Sequence, residues 1–228
     1  MVNITTAILS LGGSLIVPET IDTGFLQKFR SLILKYTQHG NRVGILCGGG
    51  KLSRIYVAAG QKMVNLNTID ADLIGIMATR LNAELVRSIF AEHAYEKVIH
   101  NPTEKISTSR NIIIGGGWLP GCTTDFDSVL MAENLDASLV INLTNVDYVY
   151  DKNPKKYKDA KPIKNISWSK FRKIIGDTHT PGINAPFDPI ASKKAQDLKL
   201  RIIIVHGKNL KNLENCLVGK KFKGTVIS

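Results

Sequence analysis

The chain has 228 residues, of which 43% are hydrophobic and 21% charged, so it can bury a substantial core and is neither disordered nor fibrous. No apolar run approaches the roughly 18 residues of a membrane helix, and the first residues lack the basic-then-apolar pattern of a signal peptide, which predicts a cytoplasmic protein without a membrane partner. The formal net charge of +11 sits late in the chain, where roughly eighteen Lys or Arg face about six acids from 151 onward with little aromatic interleaving; this reads as a solvated basic face that attracts anionic substrates and argues against nucleic acid as the partner.

In chain order, "ITTAILSL" (4–11) reads as a buried strand and runs into Gly12 and Gly13. Phe25, Phe29, Leu32, Ile33 and Tyr36 then share one face of a helix. A second strand, "RVGILC" (42–47), ends in Gly48, Gly49 and Gly50, and an amphipathic helix follows over about 69–87. "NIIIGG" (111–116) leads into a third glycine cluster at 115–117, and "ASLVINLT" (137–144) and "LRIIIVH" (200–206) complete the strands. Strand and helix in alternation predict an α/β fold, a mostly parallel central sheet sandwiched by helices. The Lys- and Pro-rich segment at 151–165 marks a boundary between an N-terminal lobe of about 1–150 and a C-terminal lobe of 151–228 within one domain. Cys47, Cys122 and Cys216 are odd in number and form no CxxC, which excludes a disulfide framework and predicts three buried thiols.

Glycines at three successive strand ends let backbone amides approach a ligand, and a helix beginning behind them favours an anion. Phosphate is the natural ligand. The Walker pattern fails, because Gly50 and Lys51 are followed by Leu52, and G-x-G-x-x-G fails at Ser53. Any single cluster is equally explained as a tight strand-to-helix turn; three at successive strand ends weigh toward phosphate chemistry.

"SLGGSLIVPE", "CGGGKLSR", "DLIGIMATRLNA", "PGCTTDFDSVLMAE", "NLTNVDYVYDKNP" and "FDPIASKKA", in this order, resemble the archaeal type of uridylate (UMP) kinase in the amino acid kinase superfamily. The resemblance spans nearly the whole chain. It implies a two-lobed α/β domain that transfers the γ-phosphoryl of ATP, carried with Mg²⁺, to UMP in pyrimidine nucleotide biosynthesis, as a homo-oligomer, specifically a hexamer. On it, Ser10, Leu11, Gly12, Gly13 and Ser14 would wrap the transferring end of ATP, with Gly49 and Arg54 completing the cradle and Lys51 a second cation. Thr144, Asn145, Tyr150 and Asn153 would hold the ATP base and ribose. Gly48 and Asp72 would face UMP, together with the loop of Trp118, Leu119, Pro120, Gly121, Cys122, Thr123 and Thr124. Gly12, Gly13, Asp125 and Lys193 would take part in transfer, Lys193 equally being a surface lysine, and phosphoryl transfer by positioning and neutralisation suits a glycine-rich site without a nucleophile.

The chain departs from the family's pattern at several positions. Tyr148 stands for a usual glycine and Asn153 for a usual aspartate, while Leu119 and Cys122 replace histidines. Ser10 replaces an acid, which leaves Mg²⁺ ligation unassigned between the acidic residues Asp125 and Asp127, each also suited to starting a helix. Two other classes fit the same fold: a nucleotide- or oxyanion-binding storage or sensing protein, and a sibling kinase such as isopentenyl phosphate kinase.

Overall fold

The computed structural model describes residues 5–152, 154, 156–176 and 186–228. The chain runs β1 (Thr6–Leu11), α1 (Gly13–Ile16), α2 (Thr23–Thr37), β2 (Arg42–Cys47), α3 (Gly50–Met63), α4 (Thr68–Phe90) and, after a 3₁₀ turn at Ala91–His93, β3 (Ile112–Gly115). It continues through α5 (Thr124–Asn134), β4 (Leu139–Thr144), β5 (Val149–Tyr150), β6 (Pro162–Ile163), β7 (Asn165–Ile166), α6 (Trp168–Ile175), α7 (Pro189–Asp197), β8 (Arg201–His206), α8 (Leu210–Leu217) and β9 (Thr225–Ile227).

Seven strands form one sheet in the order β3-β2-β1-β4-β8-β9-β7, and β5 pairs with β6 as a separate antiparallel ribbon. The five strands read from the sequence are the five mutually parallel ones; β9 runs antiparallel to β8. Both faces of these strands are buried, as a parallel sheet between helices requires. Along β1, Ala7, Leu9 and Leu11 join one core with Phe29 and Ile33 of α2 and Val86 of α4, while Ile8 turns to the other with Val129 of α5 and Ala191 of α7. Each such fully buried Leu or Ile contributes about 1.5–3 kcal/mol.

The helix expected over about 69–87 is α4, begun one residue earlier because the Asn67 side chain caps it, accepting from Asp70 N at 2.8 Å. Its inner face carries Thr79 and Asn82 among apolar neighbours, both less than 10% exposed. Its outer face shows Ile69, Leu73, Met77 and Leu81 at four-residue spacing, all exposed. Two of the three thiols, Cys47 and Cys216, are buried, and burial pushes Cys216 up to about 12. Cys122 is only half-buried, because it stands in the loop before α5 and lines a cavity rather than a core.

Candidate functional site

Because β3, β2 and β1 are parallel neighbours, their three glycine turns lie side by side beyond the carboxyl ends of the strands. The chain order reverses between β1 and β4, where open α/β sheets leave a crevice for ligands. The first two turns touch backbone to backbone. A Cβ on Gly13 would lie 2.2 Å from Gly50 N and 2.4 Å from Gly48 O, one on Gly12 2.9 Å from Leu143 O, and Gly50 has a φ of +61°. Glycine at 13, 48 and 50 is thus demanded by the contact between turns, whatever else approaches them. No side chain caps the first turn of α1 or α3; in α1 Leu15 N donates to Gly12 O at 2.8 Å, and the amides of Gly13 and Ser14, like those that open α3, have no side-chain acceptor.

The inner face of α4 holds the second and third turns. Asn82 Nδ2 donates to Gly48 O at 2.8 Å and Gly49 O at 3.3 Å. Thr79 Oγ1 accepts from Gly117 N at 2.6 Å, and Arg80 donates through Nε to Gly117 O and through a terminal nitrogen to Trp118 O, each at 3.1 Å. Asp72 Oδ2 accepts from Gly121 N at 2.8 Å. Between these turns and the helices α3 and α4 opens a cavity of about 410 Å³, whose lining includes Gly49, Arg54, Asp72, Gly117, Cys122 and Thr124.

Beside it, at the β1 end, Ser10 is buried and its hydroxyl donates to Asp125 Oδ1 at 3.2 Å, while Asp188 N donates to Asp125 Oδ2 at 3.1 Å. Burial pushes the Asp125 carboxyl up to about 6, against the pull of the Asp188 amide and the Ser10 hydroxyl. Asp127, one helical position pair further on, has no exposed surface; its Oδ2 accepts from Trp118 N at 3.1 Å and its Oδ1 has no partner. Burial raises it to about 7, opposed by the Trp118 amide and by the Arg80 guanidinium.

The remaining residues singled out from the sequence scatter around this centre. Leu11 and Gly48 are buried beneath the turns, and Ser14 is exposed on α1. Leu119 and Gly121 are exposed in their loop, Trp118, Pro120 and Thr123 partly so, and Thr123 caps α5 by accepting from Phe126 N at 3.2 Å. Thr144 ends β4, beside β1, and its hydroxyl accepts from Val146 N at 3.1 Å; Asn145 follows it, exposed. Tyr150 packs edge-on to Tyr148 at 6.4 Å, and Lys223 stands over the Tyr148 ring at 6.0 Å while pairing with Asp147 at 2.8 Å. Lys51 is ion-paired with Glu19, and Lys193 lies on the exposed face of α7 with Ile190 and Asp197. Asn153 falls outside the described residues.

Thr79, Arg80, Asn82 and Asp188 received no role from the sequence. The first three stand in "DLIGIMATRLNA", and a polar Thr and Asn on the inner face of an apolar helix is the signal that would have found them.

The chain matches the model of the amino acid kinase family over residues 5–206. The chain belongs to the amino acid kinase family. Within it, the uridylate kinase of Methanobrevibacter smithii is 35% identical over 224 residues, covering 97% of this chain and 98% of that one. The crystal structure of the uridylate kinase from Archaeoglobus fulgidus superposes with a TM-score of 0.84 at 32% identity, covering 97% of this chain and 99% of that one. The UMP kinase of Bacillus anthracis, at 20% identity and a TM-score of 0.79 over 98% of this chain and 96% of its own, shares the amino acid kinase fold.

Proposed function

We infer that this chain transfers the γ-phosphoryl group of ATP to UMP, giving UDP for pyrimidine nucleotide biosynthesis in the cytoplasm. The observation that carries the reading is the cavity of about 410 Å³ between the second and third glycine turns, next to an uncapped helix start, in a chain whose near full-length relatives are uridylate kinases. In this reading UMP occupies the cavity, with Asp72 facing its ribose and the loop of 118–124 its base and phosphate. The triphosphate end of ATP lies along residues 10–14, Gly49 and Arg54, and its base and ribose lie beyond β4 at Thr144, Asn145 and Tyr150. The transition state spreads charge over the transferring oxygens, and amides fixed in place by turn-to-turn contact stabilise it without reorganising.

ATP carries magnesium into this reading. Among the described residues no three His, Cys, Asp or Glu side chains gather into a metal cage. Magnesium bound with a nucleotide takes phosphate oxygens and water and needs only one or two protein carboxylates. Asp125 fits that role, since each of its oxygens accepts one hydrogen bond and so keeps a lone pair free. Asp127 does not, being fully buried. Held at Asp125, the ion would supply positive charge beside the transferring phosphoryl group.

The exposed row Ile69, Leu73, Met77 and Leu81 on α4, with Ile55, Tyr56 and Met63 on α3, is an apolar face that supports assembly into a homo-oligomer, in this reading a hexamer. The test of function is ADP release from Mg-ATP with UMP, dUMP, CMP, GMP, isopentenyl phosphate, aspartate and glutamate side by side. Turnover mainly with UMP is expected. Preference for another acceptor, or ATP binding without turnover, would overturn the reading.

A further inference from the structure

All four backbone polar groups of Gly117 and Trp118 are engaged. Thr79 and Arg80 on α4 take three of them: Gly117 N, Gly117 O and Trp118 O. The fourth, Trp118 N, goes to Asp127 on α5, nine residues further along the chain. That bond closes residues 118–127 into a ring. Inside the ring Gly121 N is held by Asp72, and Thr123 caps the helix that carries Asp127. Gly117 at its entrance and Cys122 and Thr124 within it line the cavity, while Asp127 sits wholly behind it.

A buried carboxyl with one oxygen unpartnered is a poor way to fill space, since an apolar side chain of the same shape avoids the desolvation. What Asp127 does that a leucine could not is hold Trp118 N and face the Arg80 guanidinium, which itself holds Gly117 O and Trp118 O. We propose that Asp127 is a positioning residue for the acceptor, closing the 118–127 ring so that its cavity wall keeps the shape that receives UMP. The inference rests on the reading of the cavity as the UMP site. Asp127 touches neither nucleotide; it acts through the Trp118 amide.

The test compares Asp127→Leu and Asp127→Asn with the wild type in KM for each substrate, in kcat, in melting temperature and in acrylamide quenching. Asp127→Leu sheds the desolvation of the carboxyl but leaves Trp118 N without its acceptor, so it is expected to melt within a few degrees of the wild type yet raise the KM for UMP about tenfold or more, with kcat falling by a smaller factor and the KM for ATP within about twofold. Asp127→Asn, which still offers an oxygen to Trp118 N, should bring the KM for UMP back to within about threefold of wild type. If the leucine variant does not fold, Asp127→Ala takes its place in the same comparison. The two tryptophans are Trp118 and Trp168, and Trp168 is 6% exposed, so greater quenching in the substrate-free leucine variant reports release of Trp118. An unchanged KM for UMP, or a KM for both substrates rising together with a lower melting temperature, would overturn the proposal. A wild type that does not turn over UMP overturns the acceptor reading alone, and quenching then decides the ring: an increase supports closure by Asp127, no change overturns it.

Discussion

The hydroxyl of Ser10 donates to Oδ1 of Asp125 at 3.2 Å, joining the end of the first strand to a helix 115 residues further along the sequence. Burial holds Asp125 up at about 6, and the Ser10 hydroxyl pulls it down by favouring the ionised form. Removing the hydroxyl therefore raises it further. Ser10→Ala should shift the acidic limb of the kcat/KM profile to higher pH, measured by steady-state turnover from pH 5 to 8. A limb that stays in place or moves to lower pH contradicts Asp125 as the group that must ionise.

Two buried carboxyls should make stability fall between pH 5 and 8, against an opposite slope from His100, which burial and Arg80 hold below the usual imidazole range. Asp125 and Asp127 are raised to about 6 and about 7, chiefly by burial, so the folded chain keeps protons that the unfolded chain releases above about 4. Their contribution is complete below about 4 and is lost as pH rises through 6 and 7. Glu214, held down to about 2 by Lys211 and Lys35, is ionised in the folded chain throughout this window and adds slope only near pH 5, where the unfolded carboxyl is still finishing its titration. Urea unfolding at pH 5 and pH 8 should show a smaller loss in Asp127→Asn than in the wild type; an equal loss would mean that Asp127 does not titrate there.

Two glycines should respond differently to alanine. At Gly13 the new methyl would lie 2.2 Å from Gly50 N, and backbone on both sides must move, so Gly13→Ala should cost about 2–4 kcal/mol and abolish turnover. At Gly121 nothing lies within 4 Å of the added carbon, and only the φ of +82° resists it, for about 1 kcal/mol. Thermal melts of the two variants rank them; equal melting temperatures would mean that the two turns separate readily.

The apolar row on α4 predicts its own disruption. Leu73 is 46% exposed and Met77 61% exposed, one turn apart on the same face. A Leu73→Glu, Met77→Glu double variant should reduce the mass measured by light scattering to a smaller assembly or a single chain while its circular dichroism stays that of the wild type. An unchanged mass would exclude this face as a contact between copies.

The sequence by itself determined the five parallel strands, the helices α2 and α4 and the placing of glycines at strand ends, because a strand buried on both faces and an amphipathic helix each leave a periodic record within ten to twenty residues. The family was legible too, in the order of its motifs. The strands β5, β6, β7 and β9 left no such record, being two or three residues long and defined by partners elsewhere in the chain. Only the tertiary structure decided what the polar residues do. It showed that Gly13 and Gly50 face each other rather than only a ligand, that Lys51 pairs with Glu19, and that Asn82, Thr79, Arg80 and Asp127 hold the glycine turns from behind. Hydrophobic burial is written locally, residue by residue, whereas a hydrogen bond needs a specific partner within about 3 Å. Asn82 and Arg80 find theirs more than thirty residues away, and only the folded sheet brings them together.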